Sequence, residues 1–76
     1  MLLSELQSKD IINIDSGAKI GFIGDIEIDV TVGVITYLIV TISQKWFGLI
    51  GSEEELKIPW TNIVKIGTDV ILIRLD

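Results

Sequence analysis

Leu56-Lys57-Ile58-Pro59-Trp60-Thr61-Asn62-Ile63-Val64-Lys65-Ile66-Gly67-Thr68-Asp69-Val70-Ile71-Leu72-Ile73 is the stretch that decides the fold. It reads as strand, sharp stop, strand, turn, strand. Alternating apolar and charged residues run up to Ile58, and Pro59 then stops the ladder because it has no N–H to donate. Trp60-Thr61-Asn62 suits a turn or one short 3₁₀ segment. Ile63 to Ile66 is a brief strand, Gly67-Thr68-Asp69 a hairpin-like turn, and Val70 to Leu75 the last strand. With Arg74 in water, Ile71, Ile73 and Leu75 are expected on the inner face.

Working backwards, the same punctuation recurs. Asp10 to Ile14 is an isoleucine-rich strand of the kind that suits a pleated surface. Asp15-Ser16-Gly17-Ala18-Lys19 is a turn in which Gly17 takes positive φ. Ile20 to Val30 is the second strand. Its second half, Asp25-Ile26-Glu27-Ile28-Asp29-Val30, alternates strictly, which predicts one wet acidic face and one buried face. Gly21 and Gly24 mark a bend or a close backbone approach in its first half. Thr31-Val32-Gly33 is a tight connection with Gly33 in the left-handed region. Val34 to Ser43 is the third strand, with Val34, Thr36, Leu38, Val40 and Ile42 on one face and Ile35, Tyr37, Ile39 and Thr41 on the other. Apolar residues on both faces mean that it is covered twice or that its outer face is an interface. Met1 to Lys9 is either one helical turn or a strand lead-in. The expectation is an all-β fold: one domain over residues 1–76, a small, partly open, meandering β-barrel of five to six short strands with little helix.

Composition narrows the function. The chain has 76 residues, of which 49% are hydrophobic, with a mean hydropathy of +0.60. A domain this small buries only about 60% of the surface its unfolded chain exposes, so stability must come from the core, from self-association, or from both. There is no cysteine and no histidine. That removes disulfides, the common soft metal ligands, and a base for any of the serines. Gly48-Leu49-Ile50-Gly51 lacks the Lys-Ser/Thr ending of a phosphate loop. No catalytic residue, cofactor site or metal site is expected. The net charge is −5 and the basic residues are scattered, which disfavours direct nucleic-acid binding. The longest apolar run, Val32 to Ile42, is far short of the about 20 residues of a spanning helix. Glu5 stands where a signal peptide would be basic, so a cytoplasmic protein is expected.

Several segments together resemble the PRC-barrel family. They are "IINIDSGAKIG" at Ile11 to Gly21, the acidic alternation at Asp25 to Val30, Gly33 followed by a long apolar strand, and "LKIPWTNIVKIGTDVILI" at Leu56 to Ile73. The opening "LLSELQSKDIINI" at Leu2 to Ile14 and "IPW" at Ile58 to Trp60 look like its small sporulation-associated branch, of the YlmC/YmxH type. The resemblance covers essentially the whole chain. It implies a binding module with no catalytic motif, and a link to endospore formers. Relatives in a photosynthetic reaction-centre subunit and a ribosome maturation factor imply two alternatives, a peripheral membrane adaptor or a ribosome- or RNA-associated factor.

Two groups are candidate surfaces. Tyr37, Ile39, Trp46, Phe47, Leu49 and Ile50 form the expected contact surface, since aromatic residues concentrate at the energetic centres of interfaces. The Trp46 loop either caps an open barrel end or stands exposed to a second copy, giving a homodimer, or to an unidentified protein. Asp25, Glu27 and Asp29 form an acidic strand face. Spaced about 6.6 Å apart, they are too far apart to grip one Ca²⁺ without another segment; a solvated face is expected, with a cation or basic-partner site as the alternative. Glu53-Glu54-Glu55 reads as a solubilising guard beside the apolar loop.

Overall fold

The computed structural model describes residues 1–42 and 54–75. A short helix α1 (Leu3–Gln7) leads into β1 (Asp10–Asn13), β2 (Lys19–Asp29) and β3 (Val34–Ile42). β4 (Glu54–Pro59) then runs into a 3₁₀ turn (Trp60–Asn62), β5 (Ile63–Ile66) and β6 (Val70–Ile73). The strands form one sheet in the order β4-β3-β2-β1-β6-β5, and the sheet is not closed. Chain neighbours pair antiparallel from β1 through β4, and again between β5 and β6. A parallel pairing of the first and last strands joins these two meanders: Asp10↔Val70, Ile11↔Ile71, Ile12↔Leu72 and Asn13↔Ile73. Sequence periodicity carries no sign of that pairing.

α1 is too short to stand alone in water. It is held by Leu6, which is buried in the core, and by local bonds: Leu2 N–H donates to Glu5 Oε1 at 3.2 Å, and Ser8 Oγ to the Glu5 carbonyl at 2.7 Å. The next residue, Lys9, is only 7% exposed. Its Nζ donates to the Thr68 carbonyl at 2.6 Å, and Asp10 N–H donates to the Asp69 carbonyl at 3.0 Å. The chain start is thereby fastened to the β5–β6 turn. At the far end, Asn62 accepts from Arg74 N–H at 3.0 Å and donates through Nδ2 to the Arg74 carbonyl at 2.8 Å.

The core is aliphatic: Ile11, Ile23, Leu38, Val40, Ile58, Ile71 and Ile73 are almost wholly buried, with Trp60 and Ile63 packed partly against them. The inner-face expectation holds for Ile71 and Ile73 but not for Leu75, which is exposed. β6 ends at Ile73 and the clamp on Arg74 turns the chain away before Leu75.

β2 exchanges partners along its length and carries a bulge at Gly24. Its start pairs with β1 (Ile11↔Gly21, Asp10↔Phe22), and from Phe22 onward it pairs with β3 (Phe22↔Thr41 to Asp29↔Val34). Where the two pairings meet, β3 comes so close that a Cβ on Gly21 would strike the Thr41 carbonyl, and one on Gly24 would strike Thr41 Oγ1. The two glycines thus face different obstacles, backbone at Gly21 and a side-chain hydroxyl at Gly24. Gly21→Ala should therefore destabilise the protein by about 1–3 kcal/mol, the usual cost of overpacking. Gly24→Ala should cost less, and the added change Thr41→Ala should recover much of that loss while doing nothing for Gly21→Ala. Urea unfolding of the four variants checks this. Equal rescue of both would mean that the backbone approach at Gly21 is not the constraint.

Candidate interaction surface

The register of β2, β3 and β4 fixes what their outer face displays. Cross-strand partners share a face, so Phe22, Thr41 and Glu55 line up in one row. Asp25, Ile39 and Lys57 form the next row, and Glu27, Tyr37 and Pro59 the third. Leu38 and Val40, between them in sequence, point to the core. Tyr37 and Ile39 are half-buried on the outer face, while Trp46, Phe47, Leu49 and Ile50 lie outside the described residues, as does Glu53. The structure thus brings together two of the six expected contact residues. It adds Phe22, exposed on the same face. Glu54 and Glu55 are exposed on β4.

Tyr37 is framed by charge. Lys57 Nζ sits 4.2 Å from the centroid of its ring and 2.8 Å from Glu27 Oε2, so an ion pair spans β3 over the aromatic face. The hydrogen bond that Lys57 donates to Glu27 holds its ammonium above the ordinary lysine value of 10.5, opposed by some desolvation and helped by the charges of Glu27 and Tyr37.

Asp25, Glu27 and Asp29 are all exposed along one side of β2, as the alternation predicts. They act separately. Asp25 Oδ1 accepts from Ile26 N–H at 2.8 Å and Asp29 Oδ1 from Thr31 N–H at 2.9 Å, while Glu27 pairs with Lys57. Among the described residues no three acidic side chains converge on a point.

The complementary expectation, a buried face opposite the acids, holds only for Ile26, which packs partly on the core. Ile28 is 49% exposed and Val30, in the turn, 89%; Val32 and Val34 are 66% and 51% exposed. The reason is length. β2 has eleven residues against four in β1, β5 and β6, so the β2–β3 hairpin runs past the core it was meant to cover. A bulge adds to this. Glu27 opposes Tyr37 but Ile28 opposes Ile35, so Thr36 is extra and the two faces of β3 exchange beyond it. Val34 therefore sits opposite Asp29, not on the core side with Leu38. The mismatch of strand lengths was the available sequence signal for this exposed group.

No helix among the described residues is long and apolar enough to cross a membrane.

The model of the PRC-barrel domain matches residues 1–76. The chain is 56% identical over 74 residues to the "Probable sporulation protein YlmC" of Bacillus subtilis, covering 97% of this chain and 91% of that one. It is 40% identical over 75 residues to the "Uncharacterized protein YmxH" of the same organism, covering 96% and 87%. An uncharacterized protein of Clostridium acetobutylicum is 35% identical over 74 residues, covering 97% and 84%.

The ion pair over Tyr37 has a measurable consequence. A lysine value raised by folding stabilises the native state below the ordinary lysine value, and that contribution is lost as pH rises through the raised one. In a pH titration of the lysine Cε resonances, Lys57 should titrate above 10.5, and Glu27→Gln should bring it back toward that value. Identical titrations in both proteins would show that the pair does not form in solution.

Proposed function

The chain belongs to the PRC-barrel domain family, and on that premise we propose that it is a non-catalytic protein-interaction module that associates with itself and serves sporulation. One observation carries the interaction reading. Phe22, Ile39 and Tyr37 share the sheet face turned away from the core, and none of them is among the residues packed on it. A small domain with limited burial gains stability by covering such a strip with a second copy. The expected contact residues Trp46, Phe47, Leu49 and Ile50 follow directly on β3, which carries Tyr37 and Ile39. The sporulation reading leans on similarity to a protein whose name carries that role. The non-catalytic reading leans on the absence of histidine and cysteine from the sequence. An acidic balance of −5 weighs against the readings as an RNA-associated factor or a membrane adaptor, because phosphate surfaces repel it.

Self-association is tested by light scattering across a dilution series. The wild-type chain should hold a dimer mass. Tyr37→Ser/Ile39→Ser and Trp46→Ser/Phe47→Ser should each shift it toward the monomer at micromolar concentration, with the β circular-dichroism signal retained. An unchanged mass in both folded variants would remove this face from the account, and a wild-type monomer would remove self-association altogether.

A further inference from the structure

Beyond Phe22 the β2–β3 hairpin is a ribbon of two strands. From Ile23 to Asp29, β2 pairs with β3 on one edge, whereas its pairing with β1 ends at Phe22. Among the described residues no strand pairs with the other edge of that segment. The Glu27 carbonyl faces β3, where Thr36 Oγ1 reaches it at 3.1 Å. Backbone groups alternate sides along a strand, so Ile26 and Ile28 turn theirs toward the open edge. The Ile26 N–H there is occupied by its neighbour, the Asp25 carboxylate, at 2.8 Å.

Two-stranded ribbons are marginal in water without something to cover their apolar side, and here Ile28 is half exposed and Val30, in the turn that follows, largely exposed. What would cover them is constrained by charge. From Ile20 to Gln44 the chain carries three acids and no basic residue. A second copy added antiparallel along this edge would set Asp25 against Asp29 and Glu27 against Glu27, and like charges directly opposite destabilise a sheet. An anionic lipid surface is repelled in the same way. The complementary occupant is a strand with positive charge on the acidic side and aliphatic groups on the other.

We propose that the open edge of β2, Gly24 to Asp29, takes up an extended segment of a partner protein with Lys or Arg at every second position and aliphatic residues between. This is strand addition, in which backbone bonds give affinity and alternate side chains give specificity. A basic side chain opposite Asp25 draws that carboxylate off the Ile26 amide and frees the amide for the incoming carbonyl. The inference rests on the reading as an interaction module but uses the backbone edge of β2, whereas self-association uses the face of β3; Asp25 and Glu27 border that face beside Ile39 and Tyr37.

The test uses the full chain and a fluorescently labelled eight-residue peptide that alternates Lys and Val. A second peptide, four Lys followed by four Val, has the same charge and composition but the wrong period. Anisotropy should show the alternating peptide binding at least tenfold tighter. Asp25→Asn/Asp29→Asn should lower that affinity tenfold or more. Amide shifts on binding should centre on Ile26 and Ile28. Equal binding of the two peptides would reduce the effect to bulk charge attraction and overturn the proposal, as would no binding at millimolar peptide or shifts centred elsewhere. A wild-type dimer that dissociates on Ile28→Ser/Val30→Ser would give the edge to a second copy and also overturn it. Dissociation in the Tyr37 and Ile39 variants does not bear on peptide binding, so the two readings fail separately.

Discussion

The structure depends on one strand serving two partners. β2 pairs with β1 at its start and with β3 thereafter, and the exchange happens at Phe22, which opposes both Asp10 and Thr41. The two partners take opposite edges of β2, a bulge at Gly24 shifts the register just past the exchange, and β3 comes so close there that the Thr41 carbonyl lies where a Cβ on Gly21 would stand. Any Cβ there would push β3 away. Loss of that approach would separate Ile23 from Val40, its cross-strand partner and a fellow member of the core. The absence of a side chain at one position is thus a condition for the packing of the others.

The second joint is the parallel pairing of β1 with β6, which sets Ile11 beside Ile71. Parallel neighbours need a long crossover, and here nearly the whole chain is that crossover. Nothing local marks it. Ile11 and Ile71 each look like one more isoleucine in a short strand, and only the assembled sheet shows them as partners. Lys9 is equally silent in the sequence. It reads as a surface lysine between Ser8 and Asp10, yet it is buried with its ammonium on the Thr68 carbonyl. A buried lysine persists when its charge meets a fixed dipole, and that dipole lies 59 residues away.

What was legible was whatever depends on near neighbours. Gly17 and Gly33 have positive φ as the turns require, Pro59 ends β4, and Asp25, Glu27 and Asp29 face water. The limits of that legibility are instructive at Ile28 and Val34. Period two assigns each residue to a face but says nothing about whether a core lies under it. Ile26 and Ile28 carry the same pattern, yet one packs on the core and the other does not, because the core ends between them. Val34 is assigned to the wrong side because a bulge at Thr36 shifts the count by one. Of the candidate surface, Tyr37 and Ile39 followed from β3 being apolar on both faces, whereas the pairing of Glu27 with Lys57 across Tyr37 needed the register of three strands.

The edges of the open sheet are guarded in different ways, and the difference has a functional meaning. β4 ends in Pro59, which cannot donate, and carries Glu54, Glu55 and Lys57 of both signs, devices that blunt an edge against added strands. β5 is only four residues long, which limits the ladder it offers a neighbour. The open edge of β2 has neither device. Its protection is like charge on one side and a carboxylate set over the Ile26 amide. A proline or a short strand discourages partners without regard to their charge. A row of carboxylates excludes an acidic strand, including another copy of itself, and attracts a basic one. An edge guarded by charge alone is therefore selective, and a strand of the complementary pattern would cover the aliphatic residues that, among the described residues, stand exposed beside it.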